Sequence, residues 1–351
     1  MIFLISSERS GSNMLRAMMA RHSLISAPTP PHLIRTFMPI LAGYGDLSED
    51  SNMRRLISDV LSVVDNQLGK WSSSLTVDDV LSDLPSRSFP ELLHYVYECE
   101  ANAQEKNIVF VKDNGNILWL AHLQANFESA RFVYLVRDPR DCVLSWLKSS
   151  AHTGGLRAAA HMWRDEQDAA LAAYALGADK GRVVLTRYED IVANPEEELE
   201  RICRSVGIEF EPSMIKSVND PNQQEEAQRI KDWENLASNI KRSNFGKFEK
   251  ELPRRKVRRI EEILGYEMRV LGYKLTGKFR RPVDYRSFVG KVYRAAVGSA
   301  RLLIGGKQRR DELAIRLRRL RILRSIQGGI LSSPKSIAPN RRPADEKTSE
   351  G

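Results

Sequence analysis

Apolar residues along the chain fall into two recurring patterns. Short unbroken runs predict buried strands at Ile2–Ser6 (IFLIS), Ile108–Val111, Arg131–Val136 (RFVYLV) and Arg182–Thr186 (RVVLT). Longer stretches with apolar residues three and four apart predict helices. These lie at Ser12–Arg21, Met53–Leu68, Glu91–Glu105, Arg140–Lys148, Ala158–Leu176, Glu196–Val206 and Arg254–Leu271. Met14, Leu15, Met18 and Met19 make one stripe on the first of them, and Gly272 ends the last. Strands of four to six residues that alternate with longer helices predict an α/β fold. The expected architecture is a three-layer α/β/α arrangement around a mainly parallel central sheet.

Composition narrows the class. The chain has 351 residues, 42% hydrophobic and 28% charged, which excludes collagen-like, coiled-coil and wholly disordered proteins. No apolar run approaches the roughly 18 residues of a membrane-spanning helix. The residues after Met1 do not read as a secretory signal. Cys99, Cys142 and Cys203 are sparse and odd in number, which fits reduced thiols and a cytoplasmic setting.

Charge divides the chain. Residues 275–351 hold 19 Lys/Arg against 6 Asp/Glu, and the preceding residues hold 35 against 39. The body is mildly acidic and is not read as a nucleic-acid-binding surface. Residues 1–277 form the expected main domain, 278–328 a basic amphipathic helical extension, and 329–351 a Ser/Pro/Lys/Arg-rich disordered tail. Within the extension, Phe288–Ile304 and Arg309–Ile326 have helical spacing. Leu313, Leu317, Leu320 and Leu323 stand among arginines. Such a helix reads as a peripheral membrane contact at the inner face, as a surface packed on the body, or as a dimerisation element.

Candidate chemistry starts at Ser7-Glu8-Arg9-Ser10-Gly11-Ser12-Asn13, between the first strand and the first helix. A strand that turns through Ser- and Gly-containing backbone into a helix N-terminus binds anions through free N–H groups and the helix dipole. Gly11 permits close approach, Arg9 adds a forked cation, and Ser10, Ser12 and Asn13 add donors. The bland alternative is a helix capped by Ser10 or Ser12. A nucleotide kinase needs GxxxxGK[ST], and that pattern is missing. The third strand runs into Arg137-Asp138-Pro139-Arg140-Asp141, with Ser145 eight residues after Arg137. Arg137 and Ser145 are spaced to grip one phosphate, or else the four charges cap a helix.

Taken together, SSERSGSN (Ser6–Asn13) and YLVRDPRDCVLSW (Tyr134–Trp146) resemble the 5′-phosphosulfate loop and the 3′-phosphate motif of one family. That family is the sulfotransferases that use 3′-phosphoadenosine 5′-phosphosulfate (PAPS). Leu185–Phe210 is similar to a third family segment, and KRSNFGKFEKEL (Lys241–Leu252) to the late loop that closes over the donor. The resemblance covers roughly residues 1–274. It departs at Glu8, where many members have Pro, at Arg9, where cytosolic members have Lys, and at Asn13, where Thr is common.

The resemblance implies in-line, metal-free transfer of a sulfuryl group from PAPS to a hydroxyl or amine. The implied acceptor is a carbohydrate or glycolipid precursor, with a small-molecule or lipid hydroxyl as the alternative. A non-catalytic nucleotide-binding protein on the same fold is the alternative of another class. Arg9 would meet the bridging oxygen, and Ser10, Gly11, Ser12 and Asn13 would cradle the 5′-phosphate. Arg137 and Ser145 would hold the 3′-phosphate, Tyr188 would lie on the adenine side, and Ser243, Asn244 and Lys247 would come from the late loop. For the general base, His32 is the first candidate, in the stiff Pro-rich segment Ala27–Leu33, and Glu8 is the second. Lys112 and Asp113, at the end of the second strand, read as substrate contacts or as a strand-end ion pair.

Overall fold

Five short parallel strands form the centre of the protein in the computed structural model. The structure describes residues 1–67, 69–149, 152, 154–175, 181–215, 245–277, 318–319 and 321–326. Chain order begins with β1 (Ile2–Ser6), α1 (Ser12–Ala20), β2 (Ile25–Ser26), α2 (Leu33–Phe37), α3 (Asp50–Asp65), α4 (Val77–Asp83) and α5 (Phe89–Ala103). It continues through β3 (Ile108–Lys112), α6 (Leu120–Asn126), β4 (Arg131–Val136), α7 (Pro139–Lys148), α8 (Gly155–Ala175) and β5 (Val183–Arg187). Last come α9 (Tyr188–Ala193), α10 (Pro195–Val206), α11 (Phe248–Glu251) and α12 (Arg254–Val270).

The sheet order is β2-β3-β1-β4-β5, so β1 lies at the centre between β3 and β4. Its register pairs Leu4 with Lys112 on one side and with Val133 on the other. Both faces are covered, which is why the strands read as unbroken apolar runs. Ile2 and Leu4 of β1 join Leu15, Met18 and Met19 of α1 and Leu199 and Ile202 of α10. Phe3 and Ile5 turn to the opposite face, where α3, α5, α7, α8 and α12 contribute the larger core. The result is the three-layer α/β/α fold expected from the pattern.

The carboxyl ends of β1, β3 and β4 meet where the strand order reverses about β1, the place at which open α/β sheets bind ligands. The Ser7–Gly11 loop, the residues after Lys112 and Arg137 all leave the sheet at that edge. Residues 318–319 and 321–326, from the basic extension, are helical. Ile326 is buried, and Ile322 and Leu323 pack against the larger core. Phe288–Ile304 and the tail 329–351 lie outside the described residues. No described helix is long and apolar enough to cross a membrane.

Candidate active site

Two sequence motifs over a hundred residues apart meet in the loop after β1. Arg9 Nε donates to Ser145 Oγ at 3.0 Å. Arg137 Nη1 donates to the Arg9 carbonyl at 3.2 Å. Ser10 is fully buried, with its Oγ 3.7 Å from Cys142 Sγ. Burial pushes the Cys142 thiol up to about 12, so it packs as an uncharged side chain.

Gly11 caps α1 in the left-handed conformation, φ 92°, with no side-chain cap. Neither Ser10 nor Ser12 caps this helix, so its first-turn N–H groups take no side-chain cap. A Cβ on Gly11 would stand 2.3 Å from Tyr188 Cδ2. The Tyr188 ring is buried beside Gly11, and the Arg137 guanidinium lies over the ring, 4.2 Å from the centroid. Tyr188 thus touches both motifs. Ser12 is buried at the start of α1, and Asn13 Oδ1 is buried without a hydrogen-bond partner among the described residues.

The remaining charges of the second motif have structural work. Asp138 caps α7 by accepting from the Arg140 N–H at 2.9 Å. Arg140 is shared between Asp138 and Glu261 of α12. Asp141 accepts backbone N–H groups from Gly246 (2.7 Å) and Phe248 (2.9 Å). That fixes the described part of the late loop to α7. Lys247 is exposed there, and Ser243 and Asn244 lie outside the described residues.

The acceptor-side candidates sit beside the same loop. Glu8 accepts from Arg35 and, at 3.1 Å, from Asn114 Nδ2. Its other oxygen is 2.5 Å from His152 Nε2. Burial alone would raise the Glu8 carboxyl, but the His152 hydrogen bond and the Arg35 charge hold it well below the usual range. A carboxylate so engaged is a weak base.

His32 initiates α2 with φ 60°. Its Nδ1 lies 3.3 Å from the Asn114 nitrogen and 3.6 Å from Asp113 Oδ1, so that side of the ring is turned to the end of β3. Burial and the neighbouring Lys112 charge push it down to about 4, against the pull of Asp113. Asp113 itself is committed to the N–H groups of Ile34 (2.8 Å) and Gly115 (2.7 Å). Lys112 is buried, and burial lowers its amine to about 8.

The family comparison bears on this geometry. A family model described as the sulfotransferase family matches residues 2–212. The chain belongs to the sulfotransferase family. The match takes in both the Ser6–Asn13 and the Tyr134–Trp146 segments, and the protein is an enzyme of sulfuryl transfer. Among solved structures, the sulfotransferase domain from the curacin biosynthetic pathway is similar in fold. It is 22% identical, with a TM-score of 0.51, over 78% of this chain and 98% of that one. The sulfotransferase domain of the Synechococcus PCC 7002 olefin synthase is 19% identical, with a TM-score of 0.45, over 85% of this chain and 94% of that one. No curated protein matches the chain by sequence.

Several groups around the sulfotransferase loop have no motif of their own. His152 follows α7 with its ring against Trp146, centroids 4.0 Å apart. Glu166 and Gln167 approach Ser7 from α8, and Gln167 Nε2 donates to Ser7 Oγ at 2.7 Å. Burial raises the Glu166 carboxyl to about 8, helped by the Glu8 charge and opposed by Ser7. In the sequence, a Ser- and Gly-containing connection concealed His152 and an alanine-rich helix concealed Glu166.

Proposed function

We propose that this sulfotransferase moves a sulfuryl group from PAPS to a hydroxyl of a carbohydrate or glycolipid precursor. The observation that supports the donor is the junction of Arg9, Ser145 and Arg137, two forked cations and a hydroxyl drawn from both phosphate motifs. The uncapped start of α1 and the bare Gly11 surface fit a phosphate group as well. PAPS supplies the sulfuryl group and a phosphate leaving group. Arg9 would neutralise negative charge that grows on the leaving oxygen, an interaction worth more in the transition state than in the ground state. Arg137, held over the Tyr188 ring, would grip the 3′-phosphate with Ser145. The carbohydrate or glycolipid acceptor rests on the family resemblance.

Calorimetric titration tests this reading. Adenosine 3′,5′-bisphosphate is expected to bind, and ATP with Mg²⁺ to bind far more weakly. Arg137→Ala should weaken the bisphosphate roughly 30-fold or more, the scale of a lost charged hydrogen bond. Arg9→Ala should lower transfer by about 100-fold or more, the scale of removing one transition-state donor. Preference for ATP, or an Arg137→Ala variant that loses only acceptor binding, would overturn the assignment.

A further inference from the structure

Both residues first expected as general base are otherwise engaged. His32 is buried, with its Nδ1 held between the Asn114 N–H and the Asp113 carboxylate and its basicity lowered by burial, and Glu8 is gripped by Arg35, Asn114 and His152. Glu8 points instead to a third residue.

His152 Nε2 lies 2.5 Å from Glu8 Oε2, and its Nδ1 lies 2.9 Å from Ser149 Oγ. An ionised carboxylate only accepts, so Nε2 carries the proton. In the neutral ring, Nδ1 then keeps its lone pair and accepts a hydrogen bond from the Ser149 hydroxyl. A carboxylate behind one imidazole nitrogen fixes the tautomer and the ring, and strengthens the base at the other. Trp146 packs against the ring at a tilt of 49°. The pair also stands at the right place. Glu8 precedes Arg9, and Trp146 follows Ser145, the two residues whose side chains meet at 3.0 Å.

We propose that His152, oriented by Glu8, is the catalytic base that deprotonates the acceptor hydroxyl, and that Ser149 Oγ marks the position of that hydroxyl. This rests on the reading of the loop as the PAPS site. In the step, the acceptor O–H proton passes to His152 Nδ1 while the acceptor oxygen forms a bond to sulfur. The bond from sulfur to the bridging oxygen breaks, and its electron pair stays on the departing phosphate beside Arg9. The imidazolium, held by Glu8, returns its proton to solvent. Glu8 is a positioning residue in this scheme.

The test uses radiolabelled PAPS with enzyme in excess and water as the probe acceptor, and follows sulfate release. His152→Ala should slow release about 100-fold, the lower range for general-base removal. It should bind adenosine 3′,5′-bisphosphate within twofold of wild type. Added imidazole should restore at least tenfold of the loss in His152→Ala and none in His32→Ala. Glu8→Gln should cost about tenfold alone and nothing further in the His152→Ala background, as expected for residues acting as one unit. A downfield imidazole N–H proton resonance in the wild type should vanish in Glu8→Gln. Release by His152→Ala within threefold of wild type, or a loss that imidazole leaves untouched, would overturn the proposal. Failure of the wild type to bind the bisphosphate would instead overturn the donor reading.

Discussion

Arg9 and Gly11 bear the strain of the loop. Arg9 holds φ 68°, a left-handed conformation that costs an L-residue roughly 1–2 kcal/mol. Its carbonyl thereby faces Arg137 while its side chain reaches Ser145. Gly11→Ala adds a methyl into the Tyr188 ring at a positive φ. It should destabilise the fold by about 1–3 kcal/mol, and calorimetry should show at least tenfold weaker bisphosphate binding as Arg137 loses its aromatic support. Glu166 makes a second prediction. Its carboxyl is raised to about 8 by burial, so the native state retains a proton that the unfolded chain sheds near 4.5. Its stabilisation is complete below pH 4.5 and disappears as pH rises through about 8, at about 1.4 kcal/mol per pH unit. Glu166→Gln removes the titration while keeping the shape. The urea midpoint of the variant, relative to wild type, should therefore rise from pH 5 to pH 8. Lys112 acts in the opposite sense above pH 8 and His32 between about pH 4 and 6.5, and both cancel in the comparison of variant with wild type. Arg9, Gly11, Arg137 and Ser145 were legible in the sequence because each motif is a continuous strand-to-helix turn whose chemistry is local. His152 and Glu166 were not. Glu8 and His152 are 144 residues apart, and only the folded sheet edge joins them.

Elements were legible in proportion to their length. The long helices were predicted within three residues of their observed ends, because apolar periodicity marks the buried face and leaves the ends to caps. Helix α3 illustrates the limit: Met53 and Leu56 define its stripe, yet it begins at Asp50 after an extended Glu49. In α5, Ser88 accepts the Glu91 N–H and Pro90 occupies the first turn, which moves the start ahead of Glu91. Strand β2 has two residues and α2 five, too few to show any period. Helix α2 matters to the site, because it carries Arg35 to Glu8. Its start is fixed by Asp113 and by the close approach of Gly115, where a Cβ would stand 2.6 Å from the Arg35 nitrogen. Asp141 does the same for the late loop. Asp141→Ala would leave the N–H groups of Gly246 and Phe248 without their partner, at about 1–3 kcal/mol for each that stays buried. The variant should melt lower, and hydrogen exchange at Gly246 and Phe248 should accelerate while exchange at β1 is unchanged. Uniform acceleration would mean that Asp141 supports the whole fold instead of the loop.

At the scale of the whole molecule, the acidic body and the basic extension meet at the site. Arg319 Nη2 donates to the Pro31 carbonyl, one residue before His32, across 288 residues of sequence. Ile326 is buried in the larger core, with Ile322 and Leu323 beside it. The fold class was readable from strand and helix alternation alone, but this return of the chain was not, since an amphipathic helix has the same pattern whether it faces lipid or protein. The two readings separate by experiment. A helix that inserts apolar side chains into a membrane needs them free, and three of those in residues 321–326 are engaged with the body. Burying one Ile side chain stabilises by about 1.5–3 kcal/mol. Deleting residues 278–351 should therefore lower the melting temperature by roughly 5 °C, taking about 2–4 °C per kcal/mol for a domain of this size. On uncharged phosphatidylcholine vesicles, the full chain and the truncated chain should both remain in the supernatant. On anionic vesicles, attraction of the surplus Lys and Arg should give binding that added salt removes. Pelleting of the full chain with uncharged vesicles, lost on deletion, would show that its apolar side chains leave the core for lipid, and the extension would then belong to the membrane rather than to the acceptor side of the enzyme.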